Sequence, residues 1–186
     1  LDILEENGAK ATFFTVGQCI SGHEKELQRA ANMGCEIGTH TWDHAEGSGQ
    51  GVSLIKMSSQ ERKDEVTKGL QAITNATGQE ASTIFRCPGG NYDTSVATDL
   101  EGIVTAEIGW NIDTTDWKKP GADVIAQRIQ SAGPGNIILM HDGGGDRSQT
   151  IAGLKQALPK LKEQGYTFVT VQDLIEKYPY QEGQSK

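Results

Sequence analysis

The chain has 186 residues, of which 35% are hydrophobic and 23 are glycine, with a formal net charge of −8. That length is most simply one domain with room for a sizeable core. The acidic balance weighs against nucleic acid or an anionic membrane surface as partner, and no apolar run approaches the roughly 20 residues that cross a bilayer.

In chain order, Leu1-Asp2-Ile3-Leu4 reads as the middle of a helix, with no methionine or signal peptide ahead of it. Residues 10–17 predict a strand, and 23–33 a helix that Gly34 ends. A second strand over 35–39 delivers His40. Gly and Ser dominate 45–53, which reads as a loop beside the next histidine, His44. Ser58 and Glu61 form a capping-box signature for a long helix to about Ala76, stopped by Gly78. A strand over 83–87 runs into the turn Pro88-Gly89-Gly90-Asn91, followed by a short helix near 93–100. Residues 103–113 read as one strand leading into Thr114-Thr115-Asp116-Trp117, and 121–132 as a helix. The apolar run 136–141 predicts a buried parallel strand. A helix over 147–164, a strand over 166–171 and a helix over 172–178 follow. Residues 1–178 are therefore expected to form one domain, with 179–186 a polar tail.

This βα alternation predicts an α/β fold, a parallel sheet or barrel with helices outside. His40, Arg86, Asp116 and His141 each fall at or just after the C-terminal end of a predicted strand, where α/β sheets and barrels place their chemistry.

His40 and His44 lie four residues apart in a chain with four histidines. Neutral imidazole is a favoured ligand for zinc-like ions, and two can grip one while leaving positions open. The same spacing also suits one or two satisfied surface or core histidines, and Thr41 stands where zincins have their glutamate. Thr41 is instead expected to orient an imidazole by hydrogen bonding. His23 reads as solvated. Three cysteines, Cys19, Cys35 and Cys87, show no metal-like spacing. Cys19 and Cys35 are expected to be buried thiols, a disulfide between them remaining open.

His141 precedes Asp142 and three glycines, a setting for a general acid or for a buried, satisfied histidine. Asp116 is either a turn carboxylate or the partner that keeps such a histidine protonated. Trp42 and Trp117 are rim aromatics or platforms for a sugar ring. Arg86 makes a surface salt bridge or clamps a catalytic carboxylate, and the glycine turn behind it offers N–H groups to an oxyanion.

Taken together these segments resemble the polysaccharide deacetylases, the NodB-homology domains of carbohydrate esterase family 4. His40-Thr41-Trp42-Asp43-His44 is similar to the family's H-[S/T]-x-x-H motif, and Arg86-Cys87-Pro88-Gly89 to its R-x-P-[Y/G] motif. Asp113-Thr114-Thr115-Asp116-Trp117 is similar to D-x-x-D-W, and Leu139-Met140-His141 to L-x-H. The resemblance runs from Lys10 to Thr170.

It implies an irregular (β/α) barrel and a divalent metal, foremost Zn2+ with Co2+ or Ni2+ as options, held by His40 and His44 together with an aspartate. It further implies that Arg86 orients a base aspartate and that the N–H near Gly89 receives the oxyanion. His141, tuned by Asp116, protonates the departing amine, and Leu139 lines the acetyl pocket. The implied activity is deacetylation of N-acetylglucosamine polymers such as peptidoglycan or chitin-like chains. The alternatives are an O-acetyl xylan esterase or a non-catalytic glycan-binding member. An acetylated glycan is the expected partner, at an extracellular or cell-envelope location. The family's T-F-D-D-G strand, which supplies the base and third ligand, is not among these residues. Neither Asp2 nor Asp142 has the strand context to replace it. The chain is thus expected to lack the first barrel strand.

Overall fold

Short parallel strands, most of them followed by a helix, organise this protein. The structure is a computed structural model that describes residues 1–45 and 53–177. Most of the glycine- and serine-rich stretch 45–53 and all of the tail 179–186 lie outside the described residues. The chain divides into two compact units, Ala11–Gly109 and Leu1–Lys10 with Trp110–Lys186.

In the Ala11–Gly109 unit, β1 (Thr12–Thr15) pairs with β2 (Glu36–Thr39) in parallel over four residues, from Thr12↔Glu36 to Thr15↔Thr39. β3 (Ile84–Phe85) joins β2 at Thr39↔Phe85, and β4 (Ala106–Glu107) joins β3, giving the order β1-β2-β3-β4. Helix α2 (Glu24–Asn32) connects β1 to β2, and Gly34 follows it at φ 77°. Helix α3 (Ser59–Thr77) begins with the expected capping box. Ser58 Oγ accepts from the Glu61 amide while Glu61 Oε2 accepts from the Ser58 amide, and Gly78 closes the helix at φ 69°. Helix α4 (Thr94–Asp99) starts on Asp93, whose Oδ1 accepts from the Ser95 and Val96 amides. Val66, Phe85, Cys87, Val96 and Leu100 are fully buried together with Leu54 between these elements.

In the second unit, α1 (Asp2–Asn7) ends on Gly8 in the left-handed region, and β5 (Ile112–Asp113) pairs in parallel with β6 (Ile138–Leu139). Helices α5 (Ala122–Gln130) and α6 (Ser148–Glu163) bury Ile125, Ala126, Ile129, Ala157 and Leu161 against each other. Helix α7 (Val171–Lys177) closes the described chain.

Three expectations need correction. The run 103–113 is not one strand: the Ile103 and Val104 amides turn back to the Leu100 carbonyl, β4 pairs with β3, and β5 pairs with β6 instead. The pairing partner changes across Gly109 and Trp110. The run 166–171 forms no strand ladder. Phe168 O accepts one backbone bond, from Lys10 N–H, and Thr170 is already the cap of α7, its Oγ1 accepting from the Asp173 amide. The inside–outside alternation of 166–170 persists without the ladder, with Thr167 and Val169 exposed and Thr170 buried. Finally, Cys35 and Cys87 are buried but Cys19 is exposed, and all three thiols are free, so Cys19 and Cys35 form no disulfide.

Candidate active site

Where β2 ends, the chain makes a tightly held turn. The His40 amide continues the ladder to Thr15 O (2.9 Å), and the Thr41 amide donates to Thr39 Oγ1 (3.1 Å). The carbonyls of Thr41 and Trp42 accept from Gly17 (2.9 Å) and Gln18 (2.8 Å) in the 3-10 turn after β1. On the other side, the amides of Trp42 and Asp43 both donate to Glu65 Oε2 of α3, at 3.0 and 3.1 Å. Thr41, His44 and Ala45 have φ of 69°, 66° and 56°. Among the described residues the other left-handed non-glycines are Thr115 and Lys119, so backbone strain is confined to the two motif-bearing turns.

This turn brings the rings of His40 and His44 to 4.9 Å between centroids, edge to face. His40 Nδ1 lies 2.8 Å from Arg86 O. A carbonyl only accepts, so Nδ1 carries the hydrogen and Nε2 keeps its lone pair. The carbonyl of Arg86, and not Thr41, therefore orients this ring; Thr41 Oγ1 is buried without a hydrogen-bond partner among the described residues. Two imidazoles so arranged fit two positions around a borderline divalent cation. Among the described residues no group of three His, Cys, Asp or Glu side chains completes the set.

The Arg86 side chain is buried. Its Nε donates to Ile108 O (2.8 Å), an Nη to Gly109 O (2.9 Å), and the guanidinium lies 4.4 Å from the Phe14 ring centre. Burial lowers its pKa to about 10, against the pull of Glu107. Burial likewise pushes the adjacent Cys87 thiol up to about 12, so it is no nucleophile at neutral pH. Gly89 is exposed at φ 64° in the turn that follows. Trp42 is partly exposed, its ring lying close over Gly17.

The second motif-bearing turn follows β5. Asp116 is fully buried; its Oδ1 accepts from His141 Nδ1 (2.7 Å), and its Oδ2 from the His141 amide (2.9 Å) and Thr150 Oγ1 (2.8 Å). Burial would raise this carboxyl, but the donors from His141 and Thr150 outweigh it and pull the pKa down to about 2. A carboxylate on Nδ1–H leaves Nε2 as the nitrogen of His141 that exchanges protons. Arg128 of α5 braces the turn, donating to Thr114 O (2.7 Å) and to Thr115 Oγ1, while Thr114 Oγ1 donates to Leu139 O (2.7 Å). Leu139 is buried and Trp117 is 52% exposed, with Lys118 Nζ 4.8 Å from its ring centre.

His40, Thr41, Trp42, His44, Arg86 and Gly89 thus belong to one unit, and Asp116, Trp117, Leu139 and His141 to the other. Sequence reasoning passed over Glu65, Thr150 and Arg128. Each sits in the body or first turn of a polar-faced helix, and nothing local marks it as the partner of a turn 13 to 34 residues away.

The family model described as polysaccharide deacetylase matches residues 1–103. The chain belongs to this family. It is 34% identical over 178 residues to a peptidoglycan-N-acetylglucosamine deacetylase of Bacillus cereus, covering 94% of this chain and 79% of that one. It is 35% identical to the peptidoglycan-N-acetylglucosamine deacetylase PgdA of Listeria monocytogenes over 94% of its own length, and spans 34% of that longer protein. Among solved structures, the Xyl-CE4 domain of a multidomain xylanase from the hindgut metagenome of Trinervitermes trinervoides superposes with a TM-score of 0.84. That match is at 33% identity and covers 97% of this chain and 83% of the solved chain.

Proposed function

We propose that this protein is a metal-dependent hydrolase that removes acetyl groups from N-acetylglucosamine-containing polysaccharide, peptidoglycan or a chitin-like chain. The observation that carries the reading is the pairing of buried Asp116 with the part-exposed His141 ring, 2.7 Å between Oδ1 and Nδ1, in a chain of this family. An amide leaving group must be protonated before it departs. Asp116 fixes the tautomer of His141 and presents Nε2 for that transfer, while Thr150 holds the second oxygen of Asp116 in place.

His40 and His44 would hold a divalent cation, Zn2+ in the first instance, through Nε2 of His40 and the imidazole of His44. Such a cation supplies Lewis-acid polarisation of an acyl oxygen and lowers the pKa of a coordinated water. Arg86 serves the pair through its main-chain carbonyl, which directs His40. Its buried side chain ties the strand end to the carbonyls of Ile108 and Gly109. Gly89 offers its amide to the oxyanion, Leu139 walls the acetyl pocket, and Trp42 and Trp117 present exposed rings to sugar. Action on such a polymer places the protein at the cell envelope or outside the cell. Among the described residues no helix is long and apolar enough to cross a membrane.

The test is acetate release from N-acetylchitooligosaccharides and peptidoglycan, with metal content measured in parallel. The expected result is release that chelation abolishes and added Zn2+ restores. Glycan binding with neither acetate release nor bound metal would replace this reading with a non-catalytic glycan-binding role.

A further inference from the structure

Glu65 is a buried carboxylate that the proposed chemistry does not use. It sits on α3, more than twenty residues from the histidine turn, and one oxygen, Oε2, accepts both the Trp42 and the Asp43 amides. Removing a carboxylate from water is costly, so its position asks for a compensating role. The two amides it takes lie between Thr41 and His44, both left-handed, a conformation uncommon outside glycine and costly above all for the β-branched Thr41. Strained turns persist only where surrounding bonds over-determine them. Main-chain groups of Thr15, Gly17, Gln18 and Arg86 also grip the turn. Glu65 reaches the turn with a side chain from a separate element. One helical turn further along, Gly69 brings α3 close enough for this to happen: a Cβ there would stand 2.2 Å from Thr39 Oγ1.

We propose that Glu65 is the positioning residue of the imidazole pair, clamping the amides of Trp42 and Asp43 so that His40 and His44 are held at the spacing a shared divalent cation requires. The inference rests on reading that pair as a cation site. A side chain that merely satisfied two amides would affect stability and leave the imidazoles' behaviour unchanged.

The test uses the full chain with Glu65→Ala, Glu65→Gln and Glu65→Asp, and Co2+ as the probe. Affinity is measured by chelator competition and ligand field by the visible spectrum. Glu65→Ala is expected to keep its helical circular dichroism, to exchange the Trp42 and Asp43 amide hydrogens faster, and to bind Co2+ about tenfold or more weakly with an altered spectrum. Glu65→Gln, which keeps an acceptor oxygen in place, is expected to restore most of that affinity. Should Glu65→Ala not fold, Glu65→Asp decides: it keeps the charge but is one methylene short of the amides, and weakened Co2+ binding supports the clamp. Wild-type affinity and spectrum in Glu65→Ala or Glu65→Asp would overturn the proposal, as would a Glu65→Gln variant as weak as Glu65→Ala. Failure of the cation reading itself looks different, because His40→Ala would then bind Co2+ as well as the wild type. In that event ring-to-ring nuclear Overhauser contacts between His40 and His44 in metal-free protein decide, their persistence in Glu65→Ala overturning the clamp and their loss supporting it.

Discussion

Asp116 shows how a single side chain can set the chemistry of another. All three of its hydrogen bonds come from donors, so each relies on an acceptor oxygen. In Asp116→Asn one oxygen becomes an NH2 group, which must face either the His141 ring or the amide and hydroxyl beside it. If it faces the ring, Nδ1 is forced into the acceptor form and the hydrogen moves to Nε2; if not, two donors lose their acceptor. The expected outcome is a folded protein whose kcat for acetate release falls by roughly 10^3–10^4, the scale seen when a buried carboxylate partner of a catalytic imidazole becomes an amide. A loss below tenfold would remove His141 from the acid role. Arg86 makes a separate prediction. Its guanidinium forks onto two carbonyls over an aromatic face, a geometry that an ammonium reproduces poorly. Arg86→Lys should therefore lose about 1–2 kcal/mol and Arg86→Ala about 2–4 kcal/mol in urea unfolding. Both variants retain the main-chain carbonyl on His40, so Co2+ binding should survive in the fraction that folds.

Among the elements, α3 decides how the histidine turn is built, and its glycine is the point of contact. Gly69 costs a helix interior about 1 kcal/mol relative to alanine, and Gly69→Ala would recover this in isolation. Here the added Cβ meets Thr39 Oγ1 at 2.2 Å and the Thr41 main chain at 3.0 Å. The helix must retreat from β2, taking Glu65 with it. Gly69→Ala is expected to destabilise by about 1–3 kcal/mol and to weaken Co2+ binding; a gain in Tm would show that the approach is slack. Ser58→Ala should cost only about 1 kcal/mol and leave Co2+ binding alone, because the capping box lies about two helical turns before Glu65 and, among the described residues, makes no bond to the histidine turn. The contrast marks what a sequence can reveal. Caps, stop glycines and apolar runs are local signals, and α3 with its capping box was legible from Ser58, Glu61 and Gly78. So were the motif residues themselves, because each follows a strand. Pairing partners are not local. The composition of 103–113 cannot say that the ladder changes hands at Gly109, and 166–170 keeps a strand's alternation without a ladder. Glu65 and Thr150 were illegible for the same reason: in sequence each is one more polar residue on a helix.

For the molecule as a whole, the carboxylates give opposing pH dependences. The chain carries a formal charge of −8 at neutral pH, so protonation relieves self-repulsion before it breaks specific bonds. Glu107 strengthens that trend. Burial raises its pKa above the ordinary 4.5, so the folded state takes up its proton more readily than the unfolded chain, and stability rises as pH falls through that range. Asp116 has the opposite sign. Its pKa falls from 3.8 to about 2 on folding, so its contribution is complete above about pH 4 and is lost as pH drops toward 2. A shift of that size corresponds to about 2 kcal/mol. Stability from urea unfolding is therefore expected to hold or rise from pH 7 toward 4.5, then to fall steeply between 4 and 2. Asp116→Asn should start lower at neutral pH and lose the steep part, because its amide does not titrate. Parallel acid losses in the two proteins would show that other carboxylates carry the transition. A flattened loss in the variant would tie the acid limit of the whole fold to the carboxylate that orients His141.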